Sequence, residues 1–209
     1  MIGSHDTFTY LNPCFPGFKL FNKIWKTQEI SIEDQYNLGV RFFDIRVVQS
    51  WLSDYWIPAH GVCNLCGIKW ESLRDICYYM SYSFPDAIYR IVLEREDSSD
   101  IANIFKAEST GLCKEFPNLW RIDIKSSKKW LGEVENNNTS LYTRGYKFAR
   151  SNTWEGDSHE LHGYLNKSNW WKMDFKKEAK KICSDLSGKI DLSRKDELYF
   201  LDYVNFLKP

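Results

Sequence analysis

Strand and helix signals alternate along almost the whole of this 209-residue chain, and that alternation restricts the fold more than any other property. Ser31-Ile32-Glu33-Asp34 reads as a helix N-cap with acids in the first turn, and Gly39 stops the short helix that follows. The chain then enters an apolar strand from Val40 to Val48. A helix is expected from about Trp70 to Tyr82, closed by Pro85, ahead of a second apolar run through Ile88, Ile91, Val92 and Leu93 with Glu94 at its carboxyl end. Ser98 or Ser99 caps a helix running toward Phe116, Leu119 to Ile124 reads as a strand, and Asn136-Asn137-Asn138-Thr139 as a turn. Tyr142 to Ala149 is a weaker strand, Asn169 to Leu186 a long helix ended by Gly188, and Leu198 to Val204 a closing strand.

Repeated βα units favour a parallel sheet with helical cover, so the fold class is α/β. The expected architecture is a single, irregular, compact TIM-type (β/α) barrel spanning residues 1–209 as one domain, its first and last strands closing on each other. An open doubly wound sheet is the alternative, but no Gly-rich phosphate loop follows a strand. With 43% hydrophobic residues the chain can bury one substantial core. Its 28 basic and 28 acidic residues cancel, so no long-range field gathers nucleic acid, and a nucleic-acid partner is not expected. No apolar stretch approaches the ~20 residues of a membrane span.

The amino terminus lacks a basic region followed by an apolar run, so the chain as given is expected to be cytoplasmic, or secreted if an upstream signal was removed. Six cysteines stand at 14, 63, 66, 77, 113 and 183, and reduced, scattered thiols are the expectation in a chain of this length. Cys63 and Cys66 form a C-x-x-C, a pattern used by redox pairs and zinc sites. No second pair completes a tetrahedral set, so incidental thiols are the preferred reading.

Strand periodicity bears on chemistry. In Val40 to Val48, Phe42, Asp44 and Arg46 share one face while Arg41, Phe43, Ile45 and Val47 share the other. An acid and a base therefore neighbour each other at the strand's carboxyl end, the catalytic mouth of a barrel. A structural ion pair is the plainer reading. Two of only four histidines lie in short polar motifs on either side of this strand: Gly3-Ser4-His5-Asp6 and Pro58-Ala59-His60-Gly61. Two imidazoles titrating near neutrality can exchange base and acid roles in proton transfer on a phosphate ester.

Taken in order, His5-Asp6, Asp44-Ile45-Arg46, His60-Gly61 and Leu201-Asp202-Tyr203-Val204-Asn205 resemble the X region of phosphatidylinositol-specific phospholipase C, the bacterial metal-independent enzymes above all. The resemblance implies a phosphodiesterase that cleaves phosphatidylinositol, or a related inositol or glycan-anchored lipid, to diacylglycerol and inositol 1,2-cyclic phosphate. It makes His5 the general base oriented by Asp202, and His60 the general acid supported by Asp6. Arg46 would bind the non-bridging phosphate oxygens, with Asp44 holding the arginine and the second histidine. An internal hydroxyl as nucleophile explains why no Ser or Cys nucleophile motif is required. Glu94, where the bacterial enzymes carry Lys, becomes a substrate-facing or arginine-pairing residue, and Arg150 aligns with their substrate-binding arginine.

No cofactor and no metal are expected. Calcium at Asp6, Asp44 and Glu94 is the sharper alternative, disfavoured because Arg46 would place a cation in the metal's own position. A glycerophosphodiesterase or sphingomyelinase-like enzyme on another head group, and a silent head-group-binding barrel, remain open. The partner is a phospholipid head group at a membrane interface, with Trp51 and Trp56 as candidate interfacial rings on a monomer. His159-Glu160-Leu161-His162 lacks metalloprotease spacing and reads as a surface loop.

Overall fold

A computed structural model describes residues 1–21, 26–125, 130–136, 147–151, 175–187 and 197–207. The fold is mixed α/β, built on a curled half-barrel sheet. Strands β1 (Ile2–Ser4), β3 (Val40–Gln49), β6 (Ile88–Leu93), β7 (Leu119–Lys125), β9 (Lys147–Ser151) and β10 (Glu197–Leu201) run parallel in the order β9-β10-β1-β3-β6-β7, and β8 (Trp130–Asn136) is antiparallel to β7. The expected meeting of first and last strands is present, with Ile2 opposite Tyr199 and Ser4 opposite Leu201. Among the described residues no pairing joins β8 to β9, so what is seen is a half-barrel.

The helices α1 (Ile32–Asn37), α2 (Leu73–Ser83), α3 (Ser99–Ser109), α4 (Leu112–Glu115) and α5 (Phe175–Leu186) follow the sequence signals closely. Ser31 caps α1 by accepting from the Asp34 N–H, and Ser72 with Asp75 forms a full capping box on α2. The helix expected to run unbroken toward Phe116 breaks instead at Gly111, whose left-handed backbone (φ 84°) starts the separate α4. The closing strand ends at Leu201 rather than Val204, because Tyr203 turns into the left-handed region (φ 50°). The expected turn at 136–139, the first half of the long helix from Asn169, and His159 and His162 fall on or run into residues outside the described ones.

Alternation divides the core in two. Phe43, Ile45, Val47, Tyr89, Ile91, Leu93, Ile122 and Ile124 join the main cluster with the α2, α3 and α4 residues Leu73, Ile76, Met80, Phe105 and Leu112. Phe42, Ile88 and Phe200, from the alternate positions of their strands, form a second, smaller cluster with Trp120. Asp44, Arg46, Arg90 and Glu94 share the parity of Phe42 and Ile88 along their strands, and all are buried. The inner face is thus apolar at its base and ionic toward the strands' carboxyl ends.

β3 overruns β1. Beyond the pairing of Ser4 with Phe43, the freed edge of β3 is taken by the antiparallel β4 (Trp56–His60), which pairs in turn with β5 (Cys63–Cys66) and through it with β2 (Asn12–Pro13). The expectation of scattered thiols is corrected here: Cys66 is bonded to Cys14, and the C-x-x-C is not a unit, since Cys63 is a separate buried thiol. Pairing of β2 with β5 brings the two sulfurs together, a long-range contact that spacing along the chain does not reveal. The bond closes a loop of 52 residues, for which chain entropy gives about 4 kcal/mol. Cys14→Ser is expected to lower the free energy of unfolding by about that amount in non-reducing denaturant titrations, and by almost nothing when both proteins carry reductant.

Candidate active site

His5 follows the last residue of β1. Its N–H donates to the Leu201 carbonyl (3.1 Å), after which the chain leaves the ladder through Asp6, a non-glycine residue at φ 45°. Thr7 fixes that departure to β3: its N–H donates to the Asp44 carbonyl (2.9 Å) and its hydroxyl accepts from the Asp44 N–H (3.0 Å). The Asp6 N–H donates to Asp44 Oδ2 (3.2 Å). A left-handed turn of this kind costs on the order of 1 kcal/mol and persists where the surroundings determine it, as these bonds do.

Four sequence-expected residues converge on Arg46. Its Nε lies 2.6 Å from Asp6 Oδ1 and 2.9 Å from Asp44 Oδ2, and its Nη1 3.1 Å from Glu94 Oε2. Nη2 stands 2.8 Å from His5 Nε2. A guanidinium only donates, so His5 Nε2 accepts, and the ring proton sits on Nδ1, directed at Asp202 Oδ1 (2.8 Å). That is the tautomer a general base requires.

The second imidazole arrives on β4. His60 Nε2 is 3.1 Å from Asp6 Oδ2, the oxygen that also stands 3.3 Å from His5 Nε2, so one carboxylate oxygen faces both rings. The ring centroids are 6.1 Å apart and nearly perpendicular. Gly61, at φ 55°, turns the chain after His60 and donates its N–H to Glu94 Oε1 (2.8 Å). Asp6 is held by charge rather than directed hydrogen bonds, which leaves its oxygens open to regrouping around a ligand.

Two basic residues escaped the sequence reading. Arg90 Nε lies 2.6 Å from Asp44 Oδ1, and its guanidinium stands 5.4 Å from the Phe200 ring centroid, under the cluster. The signal was its parity: a lone basic residue two from Ile88 and four from Glu94. Lys125, one past the expected end of its strand, reaches Glu94 Oε1 (2.8 Å). Glu94 is therefore an arginine- and lysine-pairing residue with almost no exposed surface. The side chain of Arg150 lies outside the described residues, though its backbone pairs with Tyr199.

Burial and charge set the protonation pattern. Burial pushes His5 well below the usual imidazole range, Arg46 adding to the effect. Burial raises Asp6 to about 6 against the pull of Arg46 and His60, and lifts Asp202 well above the carboxylate range, with Asp6 next in effect. For Asp44 and Glu94 burial acts upward too, but Arg46, with Arg90 and Lys125 respectively, outweighs it and both are held low.

His5, Asp6 and Asp44 bring ligating atoms within 4.8 Å of one another, the one grouping among the described residues with metal-like geometry. Arg46 lies against both of those carboxylates and against Glu94, the three groups considered for calcium. Of the two proposed interfacial rings, Trp51 is 83% exposed. Trp56 is corrected: it is fully buried against Phe105 and donates its indole N–H to Glu108 Oε2 (3.0 Å).

Fold and site define an α/β protein that gathers two imidazoles and a guanidinium about one carboxylate at the mouth of a curled parallel sheet. No protein-family model and no curated protein matches the chain. Among solved structures it is similar to the phosphatidylinositol-specific phospholipase C of Listeria monocytogenes, at 13% identity and TM-score 0.49 over 99% of this chain and 90% of that one. It is similar also to the S. aureus phosphatidylinositol-specific phospholipase C, at 16% identity and TM-score 0.44, and to the F249X mutant of that enzyme, at 15% and 0.43, each over 95% of this chain and 70% of the other. At such values the functional reading rests on this chain's own side chains.

Arg90→Met leaves Asp44 with one of its two buried cations. A loss of about 3 kcal/mol in denaturant-measured stability is expected.

Proposed function

We propose that this protein is a metal-independent phosphodiesterase of the phospholipase C type, which converts phosphatidylinositol or a related inositol lipid to diacylglycerol and inositol 1,2-cyclic phosphate. The observation that carries the reading is the single Asp6 oxygen set between His5 Nε2 and His60 Nε2, with Arg46 alongside. A binding pocket alone has no use for a matched acid and base around a buried cation.

In this mechanism His5 Nε2 removes the proton of the inositol 2-hydroxyl while Asp202 holds Nδ1–H. The hydroxyl oxygen bonds to phosphorus, the bond from phosphorus to the glycerol oxygen breaks, and His60 delivers a proton to that oxygen. The rings are close enough for both to reach oxygens on one phosphorus centre. Arg46 now donates to the His5 lone pair, so an arriving phosphate draws the guanidinium onto its non-bridging oxygens and frees the base in the same movement. Arg46 thereby supplies the positive charge for which a metal would otherwise be needed.

Exposed Trp51, with its neighbour Leu52 also exposed, offers an apolar contact with the lipid surface, and the enzyme acts there as a monomer. The Cys14–Cys66 bond favours an oxidising compartment over the cytoplasm.

Phosphorus NMR of phosphatidylinositol micelles in excess chelator tests the reading. A cyclic phosphate signal is expected from the parent and none from a His5→Ala, His60→Ala double variant. Arg46→Lys, a point charge without the planar fork, should retain at most about 1% of the parent rate. If the parent is silent until calcium is added, the metal-free mechanism is wrong.

The pH profile gives a separate check. Asp6 is ionised at neutral pH and protonates as pH falls through about 6, losing its attraction for His60 and Arg46. Because His5 is depressed below its ordinary value, the base stays neutral in that range, so the acid limb near 6 belongs to Asp6. An Asp6→Asn variant should be slow throughout and show no limb there.

A further inference from the structure

The His5–Asp202 pair sits where two strands stop being strands. The ladder between β1 and β10 ends at the bond from the His5 N–H to the Leu201 carbonyl, and both chains then enter left-handed turns, at Asp6 and Tyr203. Past that point the described ladder no longer pairs β1 with β10, yet the imidazole and the carboxylate must stay aligned within about 0.5 Å. A segment remote in sequence, Lys26 to Gln28, fills the gap.

Gln28 is fully buried, and its side-chain amide is spent on this junction. Nε2 donates to the His5 carbonyl (3.1 Å) and the Leu201 carbonyl (3.0 Å), while Oε1 accepts from the Val204 N–H (3.2 Å). Thr27 Oγ1 lies 3.0 Å from the same His5 carbonyl and 3.4 Å from that of Asp6. The Thr27 carbonyl accepts from the Tyr203 N–H, and the Lys26 carbonyl from the Tyr203 hydroxyl. Thr9 anchors the strap itself, its hydroxyl accepting from the N–H groups of Thr27 (3.0 Å) and Gln28 (2.8 Å). One side-chain amide thus spans the backbones flanking both members of the pair.

We infer that Gln28, seconded by Thr27, is a positioning residue of the His5–Asp202 pair: it continues the broken ladder across the two left-handed turns and so fixes the alignment of Nδ1–H with the carboxylate. It touches no reacting atom. A core amide that served stability alone could bond any of the local carbonyls, whereas this one bonds the residue before Asp202, the residue two after it, and His5 itself.

The inference rests on the proton-transfer role assigned to that pair, so its test has a readout independent of turnover. Nitrogen-15 NMR of the imidazoles is compared in the parent, Gln28→Met and Thr27→Val, with thermal unfolding of each. In both variants the His5 Nδ1 and Nε2 resonances are expected to move toward those of a rapidly exchanging free imidazole, and the His5 titration to shift back toward the ordinary range. With phosphatidylinositol, kcat should fall about 10- to 100-fold in Gln28→Met with KM within twofold, as misalignment of a reacting group predicts. Thr27→Val is nearly isosteric and carries the test if Gln28→Met does not fold. Parent-like His5 resonances in a merely less stable variant would overturn the inference. A shifted His5 in a protein that turns over no inositol lipid would uphold it and count against the proposed function instead.

Discussion

A buried guanidinium organises this molecule. Moving Arg46 from water into the sheet's inner face costs several kcal/mol unless its charge is matched, and the match comes from different elements: Asp6 after β1, Asp44 on β3, and Glu94 after β6. Those elements are separated by tens of residues, so the ion cluster forms only when the strands have their native order and register. The pairing of Asp44 with Arg90 across β3 and β6 and of Lys125 with Glu94 from β7 extends the dependence across the sheet. Hydrophobic burial drives collapse, but this cluster selects which collapsed arrangement is tolerable.

The same burial that makes the cluster a constraint makes it reactive. Four carboxylates, Asp6, Asp44, Glu94 and Asp202, share three cations and two imidazoles in a largely buried space, so not all of them can be equally satisfied. Asp44 and Glu94, each between two cations, stay ionised. Asp6 and Asp202, nearer the histidines, are driven toward neutrality, and His5 is driven the same way. Groups whose charged forms are disfavoured by burial are suited to passing a proton, and a phosphate entering with its own negative charge shifts their preference.

Much of this was legible from residue order. Alternation in Val40 to Val48 placed Phe42, Asp44 and Arg46 on one face, and His5, Asp6, Asp202 and His60 carried their own local contexts. Arg90 is hidden as a single base within an apolar run, and Lys125 stands one residue past the end that its strand shows in sequence. Trp56 opens β4 under α3, and its sequence neighbours show nothing of the helix that covers it. The Cys14–Cys66 bond and the Gln28 strap were beyond reach for a deeper reason. Both join segments through contacts that exist only once β2, β5 and the strand ends are in place, and neither Cys14 nor Gln28 has neighbours in sequence that mark it.

The placement of His60 shows how the fold solves a directional problem. Every parallel strand delivers its functional residues to the mouth from the same side, so a second imidazole carried by another such strand would stand beside the first rather than face it. β3 overruns β1 past Phe43 and leaves an edge open just where the site begins. β4 fills that edge running backwards, which brings His60 to Asp6 from the opposite direction, and β5 completes the hairpin with β2 along its outer edge. A two-stranded ribbon is marginal by itself. Here the Cys14–Cys66 bond ties it to the segment that leaves His5, so the two histidines belong to covalently linked walls of one cleft, and their separation is set by the ribbon's geometry rather than by the flexibility of a loop.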